Sequence, residues 1–339
     1  MKTTAIKDQW ITYLCLIVLS FAVFLISACG GGGSSSSNPP GATPTAGLAS
    51  GSIEGFGSVI VNGVRFHTGG ADLSFDDGSQ PIPLTDDPLQ NQLHLSVGME
   101  VEVEGSFDDN GTGTATRITV NSSLDGPISN LSAVGDVRTF TILGQNVLAG
   151  RGSTVVDDSI LLSNLDNLQN GMVVEVHGLP DGNGSVQASF IEHKANNVAS
   201  LPAGFLFEIT GTVQTGSLTS TSFQVGSQLV DYSNVTPRNG TLSEGALVEV
   251  KGDLSGTTLV ASDVELKNVF GDQAKIDIEG LITSLDTTAK TFMLKGQLVN
   301  YANTQLYLGG VEADLANGLK VEAEGPVSGG QLLAVKIKF

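Results

Sequence analysis

A short run of alternating residues that returns four times along the chain decides the fold. It reads GMEVEVEG at residues 98–105, GMVVEVHG at 171–178, GALVEVKG at 245–252 and GLKVEAEG at 318–325. The first glycines stand 73 or 74 residues apart, a regularity that indicates a tandem repeat. In the first copy Met99, Val101 and Val103 alternate with glutamates. The run therefore predicts a strand with one face in a core and the other in solvent.

Further strand-like elements recur around this run in every copy. A strand with a central glycine comes first, and a strand that contains phenylalanine and ends in a glycine turn follows, as in Phe140–Gly144. In the first copy the corresponding turn is Asn62-Gly63, a strong hairpin signal. A last strand closes each unit, as in Gln331–Phe339. Each copy thus contains about five short strands.

Five strands with a small insertion before the fourth are typical of an OB-like barrel. In the second copy the insertion predicts a helical turn over residues 163–171, with Ser163 as its cap. We therefore predict an all-β protein of four tandem five-stranded OB-like barrels; an SH3-like barrel or a sandwich is the alternative. The expected limits are a signal peptide at 1–28, a lipidated cysteine and tether at 29–50, and repeats at 51–123, 124–199, 200–268 and 269–339.

The N-terminus has the features of an export signal. Lys2 and Lys7 precede an apolar stretch from Leu14 to Ile26, which is too short for a comfortable transmembrane helix. The run ISAC at residues 26–29 resembles the lipobox of bacterial lipoproteins. That resemblance implies cleavage between Ala28 and Cys29 and a covalent lipid on Cys29. The lipid would anchor the protein to a membrane.

The residues after Cys29 are rich in glycine, serine and proline as far as Ser50, a composition typical of a tether. Gly30 stands where an aspartate favours retention in the inner membrane of enteric bacteria. By that resemblance we expect the outer membrane of the cell envelope as the destination.

The composition of the chain disfavours several classes of binding partner. The net charge is −19, which disfavours nucleic acid and anionic headgroups. The cysteines are Cys15, within the signal, and Cys29, so we expect no disulfide in the mature chain. Trp10 also lies in the signal, which leaves few aromatic side chains on which sugars could stack.

The run GFGSVIVNGVRF at residues 55–66, followed by VGMEVEVEG at 97–105, resembles bacterial exported proteins that carry a domain of unknown function, DUF5666. Copies two to four resemble the family mainly through the strand that contains Val-Glu. They lack the Phe-Gly-Ser and Asn-Gly signatures of the first copy. The resemblance implies a β-barrel-like repeat, commonly on lipoproteins, and carries no established chemistry.

Candidate chemical groups are few. Glutamates at one equivalent position of each repeat predict a structural role on a solvent-facing row: Glu102, Glu175, Glu249 and Glu322. His177 occupies a strand position that is charged in the other copies, so we expect it to be exposed. The acid-rich turn at 108–111 aligns with glycine-rich turns in the other copies, two of which contain no acid, which indicates turn chemistry rather than calcium binding.

We therefore expect no catalytic residue, no cofactor beyond the lipid, and no metal site. The favoured hypothesis is a non-enzymatic, lipid-anchored envelope protein, a modular rod that spaces, scaffolds or binds another envelope protein. One alternative is binding of a glycan or a divalent cation. Another is an enzyme whose site lies in the long loop of repeat 1, with His67, His94 and Asp86 or Asp87 in one pocket.

Overall fold

The computed structural model describes residues 43–75, 79–157, 159–160, 164–182, 184–267 and 270–339. The expected signal peptide, Ala28, Cys29, most of the tether and Ser163 lie outside these residues. Strands dominate the described part, which also contains a four-residue α-helix, α1 (Pro88–Asn91). No helix in the described ranges is long and apolar enough to cross a membrane.

Repeat 1 is a closed five-stranded barrel with a small two-stranded extension. Its strands are β1 (Thr45–Gly55), β2 (Val59–Val61), β3 (Val64–His67), β4 (Asp72–Phe75), β5 (Ile82–Pro83), β6 (Glu100–Phe107) and β7 (Thr112–Val120). The hydrogen-bonded order is β1-β2-β3-β7-β6 and back to β1. The pairing of β3 with β7 is parallel, and the other four pairings are antiparallel.

The other repeats have a related order of pairing. Their first barrel strand reaches the next hairpin through a separate short strand in repeats 2 and 4, and through an isolated bridge from Val213 to Val225 in repeat 3. Repeat 2 contains β8 (Leu124–Pro127), β9 (Ser129–Val134), β10 (Val137–Ile142), β11 (Gln145–Gly150), β12 (Val155–Val156), β13 (Val173–Pro180) and β14 (Ser185–Ala195). Repeat 3 contains β15 (Phe207–Thr212), β16 (Ser222–Val225), β17 (Gln228–Asp231), β18 (Leu247–Ser255) and β19 (Thr258–Leu266). Repeat 4 contains β20 (Gln273–Leu281), β21 (Thr283–Asp286), β22 (Thr291–Leu294), β23 (Gln297–Asn300), β24 (Leu306–Leu308), β25 (Lys320–Ser328), β26 (Gln331–Leu333) and β27 (Lys336–Lys338). The predicted all-β fold of four repeats is confirmed, and its OB-like character stays a prediction.

The alternating apolar residues fill the barrels, as the sequence pattern predicted. Met99, Val101 and Val103 are buried in the core of repeat 1. The recurring strand that ends in a glycine turn carries a phenylalanine in each of the other repeats. These side chains are buried: Phe140, Phe223 and Phe292. These large aromatic side chains fill a substantial part of each small core.

Repeats 2 and 3 are joined edge to edge by antiparallel pairing of β8 with β15. Leu124 lies opposite Ile209, and both side chains enter one hydrophobic cluster that spans the two repeats. The interiors of the two barrels therefore face the same side of the shared sheet and merge.

Repeats 1 and 4 are joined differently, by parallel pairing of β1 with β20. Leu48 lies opposite Ile276 and packs into the core of repeat 4, whereas the next residue, Ala49, packs into the core of repeat 1. Since neighbouring residues of a strand point to opposite faces, the two barrel interiors lie on opposite sides of the shared sheet. The two cores stay separate.

This junction corrects two expectations. Residues 45–50 were expected in the tether, but they form the first half of β1. Leu48 packs into the core of repeat 4 and Ala49 into the core of repeat 1, which stabilises this segment as a strand. The rod-like arrangement is also wrong, because the first repeat pairs directly with the last.

The insertion before the fourth recurring strand contains a helical turn in repeats 1, 2 and 4, as predicted for repeat 2, whereas residues 232–246 of repeat 3 contain none. In repeat 2 a 3₁₀ turn covers Leu165–Asn167, which is shorter than the predicted range of 163–171. Its N-cap is Asn164 rather than the predicted Ser163, because the side chain of Asn164 accepts a hydrogen bond from the backbone N–H of Asp166. In repeat 1 the insertion is longer and carries α1, whose N-terminus is capped by the side chain of Asp87.

Candidate functional site

The equivalent glutamates of the four repeats are not on a solvent-facing row. Glu249 and Glu322 are buried, and Glu102 and Glu175 are partly buried. The expectation was wrong because the outer faces of the barrels pack against neighbouring repeats. Alternation shows that a strand has two different faces, but it does not show whether the polar face meets water or another barrel.

Lysines and a histidine contact three of these glutamates. Glu175 accepts from His177 Nε2 at 2.7 Å and lies 2.5 Å from Lys194 Nζ. Burial opposes the charge of Glu175, but these two partners lower its pKa to about 2. Glu249 lies 2.6 Å from Lys267 Nζ.

In repeat 4, Glu322 Oε2 lies 2.9 Å from Lys338 Nζ. Burial nevertheless raises the pKa of Glu322, and the lysine offsets this increase only in part. The fourth equivalent glutamate, Glu102, differs. No hydrogen bond or ion pair joins its carboxylate to another residue in the described ranges. Burial raises the pKa of Glu102, against the attraction of Lys267 and Lys295.

His177 is fully buried, which corrects the expectation of an exposed side chain. Its Nδ1 lies 2.9 Å from the carbonyl oxygen of Asn121, and its Nε2 lies on Glu175. The backbone N–H of Glu100 donates to the same Nδ1 at 3.3 Å. His177 thus ties repeat 2 to the strand of repeat 1 and to the linker between them.

A central cavity of about 240 Å³ lies where the four repeats meet. All four contribute to its wall, through Ser50 and Glu102 of repeat 1, Gly178 of repeat 2, Thr210 and Lys267 of repeat 3, and Lys295 of repeat 4. The wall combines carboxylates, ammonium groups and hydroxyls with apolar side chains, so it suits a small polar ligand.

Strand hairpins and their flanking residues position several of the charges around this centre. The predicted Asn62-Gly63 turn is present, with both residues at positive φ, and the Asn62 side chain donates to the backbone oxygen of Asp277 at 3.1 Å. The equivalent turn of repeat 4 carries Lys295, which reaches Glu100 Oε2 at 2.6 Å. The turn signals in the sequence therefore mark contacts between barrels as well as hairpins.

An acidic row crosses the sheet of repeats 2 and 3 on the face opposite the core. In cross-strand register it runs through Glu192, Glu175, Asp125, Glu208, Lys251 and Asp263. Asp125 stands directly between Glu175 and Glu208, and its buried Oδ1 has no hydrogen-bond partner among the described residues. Burial and these two carboxylates raise the pKa of Asp125 well above its usual value.

Asp277 holds a comparable place at the junction of repeats 1 and 4. It is 1% exposed, and its Oδ2 has no hydrogen-bond partner in the described part of the chain. Burial, together with Glu322 and Glu324, raises its pKa well above the usual value. Sequence reasoning missed both aspartates. The signal was the placement of acids among apolar strand residues, as in Ile276-Asp277-Ile278.

The long loop of repeat 1 does not gather the residues of the alternative active site. His67 and Asp86 lie 4.0 Å apart, but both side chains are mostly exposed. Asp86 accepts from the backbone N–H groups of Thr68 and Gly69, and Asp87 caps α1. His94 is exposed and lines a separate depression with Phe190 and other residues.

The acid-rich turn is explained by its own hydrogen bonds. Asp108 accepts from the backbone N–H groups of Asn110 and Thr112, the geometry of an Asx turn, and these bonds lower its pKa. Asp109 instead reaches Lys275 of repeat 4 at 2.6 Å. No cluster of three histidine, cysteine or acidic side chains suited to a metal occurs among the described residues.

Comparison with known families agrees with the repeats. The family model described as domain of unknown function (DUF5666) matches residues 50–119, 125–192, 210–265 and 279–338. The chain belongs to the DUF5666 family. No curated protein matches it. The four DUF5666 matches include copies two to four, in which the Phe-Gly-Ser and Asn-Gly signatures of the first copy are absent.

Proposed function

We propose that this DUF5666 protein is a non-enzymatic lipoprotein of the cell envelope, held in the outer membrane through lipid on Cys29, and that it serves as a scaffold that binds another envelope protein. The sequence ISAC at 26–29 supports the anchor, and Gly30 supports the outer membrane. Two or more acyl chains would make the attachment stable.

The observation that carries the binding role lies in the insertion unique to repeat 1. Leu89 and Leu93 are each 70% exposed, four residues apart on and just after α1. Large apolar side chains held out from a structured insertion are the kind of anchor that protein interfaces bury. In the same loop, Asp86 and Asp87 accept hydrogen bonds from backbone N–H groups, so they stabilise the loop itself. This use of the two carboxylates favours binding over catalysis there.

The fold supports a scaffold because its charged groups connect barrels. Lys295 joins repeat 4 to repeat 1, and Lys275 does the same through Asp109. His177 joins repeat 2 to repeat 1. With these links and two shared sheets, the described part can present α1 from a rigid base.

Two measurements in cells test the proposal. Metabolic labelling with a radioactive fatty acid should mark the protein, and Cys29→Ser should remove the label and release the protein from the membrane fraction. A label that persists in Cys29→Ser would contradict the anchor.

The partner is tested by a photo-crosslinking amino acid placed at position 93, with position 134 as the matched control. Val134 is 73% exposed but lies in repeat 2, away from the insertion. We expect one dominant crosslinked protein from position 93, and several-fold less of it after Leu89→Ser. Equal crosslinking from both positions, or none from either, would overturn the binding role.

A further inference from the structure

The four equivalent glutamates differ in one respect that points to a ligand. Glu175, Glu249 and Glu322 each have a lysine or histidine within 3 Å, whereas Glu102 has no ion pair or hydrogen bond within the described residues. Glu102 is also the one of the four that lines the central cavity. Three of the four repeats therefore have a lysine or histidine beside the equivalent glutamate, and the repeat whose glutamate faces the cavity has none among the described residues.

The strands beside Glu102 explain why it has no partner. Its cross-strand neighbours are Ser50 and Thr119, which carry no charge. The two ammonium groups on the cavity wall are already paired, since Lys267 contacts Glu249 and Lys295 contacts Glu100, each at 2.6 Å. The cavity thus has one carboxylate whose charge no contacting cation balances.

The surrounding wall offers further hydrogen-bonding groups. Glu100, which also lines the cavity, is 4% exposed, and its Oε1 has no hydrogen-bond partner among the described residues. Thr210 Oγ1 is likewise buried there without a partner in the described ranges. Buried polar atoms without partners are costly, so a bound molecule that supplies donors would stabilise this site.

The volume limits the size of that molecule. A volume of about 240 Å³ is enough for a compound of a few carbon atoms. Leu247 and Phe270 add apolar surface to the wall, which suits a short hydrocarbon stem.

We propose that the central cavity binds a small primary-ammonium compound, whose ammonium group donates hydrogen bonds to the Glu102 carboxylate and takes the place that lysine or histidine fills in the other three repeats. We take the ligand to be a free small molecule. This site does not depend on the lipid anchor or on a protein partner.

The electrostatics of the cavity wall agree with this assignment. Burial raises the pKa of Glu102 because the carboxylate loses hydration without gaining a contacting cation. A bound ammonium group would lower this pKa again. Binding of an amine should therefore release protons from the protein in the pH range where Glu102 is partly protonated.

The test uses the lipidated full chain in detergent and isothermal titration with methylammonium, propylammonium and 1,4-diaminobutane. We expect saturable binding of propylammonium, and a heat that varies between buffers of different ionisation enthalpy, as proton release requires. Propanol lacks the charge and tetramethylammonium lacks N–H donors, so both should bind at least about tenfold more weakly.

The decisive variant is Glu102→Gln, which keeps the shape of the side chain and should fold, because it removes a buried charge. It should weaken propylammonium binding at least about tenfold. The matched control is Glu104→Gln, on the same strand but about half exposed and 3.6 Å from Arg117; it should bind as the wild type does.

Three results would overturn the proposal: no saturable binding of any of the three amines, unchanged binding in a folded Glu102→Gln, or equal loss in both variants.

Discussion

The two sheets of this protein join equivalent barrels in opposite ways. In repeats 2 and 3 the first strands β8 and β15 pair antiparallel, and one hydrophobic cluster runs through both barrels. In repeats 1 and 4 the first strands β1 and β20 pair parallel, and each barrel keeps its own core. The same repeat thus provides two kinds of junction, because an edge strand can accept a neighbour in either direction.

The difference has consequences for cooperativity. Where cores merge, loss of packing in one barrel removes contacts from the other, so repeats 2 and 3 should open together. Where cores stay separate, the link consists of backbone hydrogen bonds, one leucine and a few charges. Repeat 4 should therefore be able to open while repeat 1 stays folded.

The largest expected effect comes from truncating a buried isoleucine at each of the two junctions, once in repeat 3 and once in repeat 4. Ile209→Ala in repeat 3 and Ile278→Ala in repeat 4 both remove fully buried groups, at a cost of about 2–5 kcal/mol each. Hydrogen exchange should show faster opening of both repeats 2 and 3 in Ile209→Ala. In Ile278→Ala the faster exchange should stay within repeat 4. Spread of the Ile278 effect to repeat 1 would remove the distinction between the junctions.

A smaller effect is expected from crowding the parallel junction. A Cβ on Gly47 would lie 2.3 Å from the carbonyl oxygen of Lys275, so Gly47→Val should push β1 from β20 and cost about 1–3 kcal/mol. The matched control is Gly271→Val, where a Cβ meets nothing within 4 Å and which should be nearly neutral. Denaturant unfolding measures both. Equal stability of the two variants would show that the close approach at Gly47 has no energetic consequence.

The smallest effect concerns the charge at the antiparallel junction and depends on pH. The pKa of Asp125 is higher in the folded protein than in the unfolded chain, so the folded state binds the proton more tightly. Its contribution to stability is therefore present at low pH and is lost as the pH rises through the folded pKa.

Asp125→Asn removes this loss, so the variant should melt at a higher temperature than the wild type at pH 8. At pH 4 the two should melt at nearly the same temperature. Asp108→Asn is the control of opposite sign, because backbone hydrogen bonds lower the pKa of Asp108, and it should melt at a lower temperature at pH 8. A lower melting temperature of Asp125→Asn at pH 8 would show that the carboxylate is ionised and favourably paired.

Sequence reasoning succeeded wherever the information was local. The alternation of Met99, Val101 and Val103 was sufficient to place a strand over a core, and Asn62-Gly63 was sufficient to place a hairpin. It failed where a side chain meets a distant repeat. His177 looked like its charged counterparts in the other copies, yet it lies buried between repeats 1 and 2.

The sequence by itself determined the number of repeats, their strand order along the chain and the face of each strand that enters a barrel. These follow from a period of two within strands and of about 73 residues between repeats. Only the tertiary structure decided that residues 45–50 are part of repeat 1, that the first repeat pairs with the last, and that Glu102 faces a cavity. The physical reason is that pairing between edge strands depends on backbone hydrogen bonds, which every sequence offers, so the choice of partner depends on how whole barrels pack together.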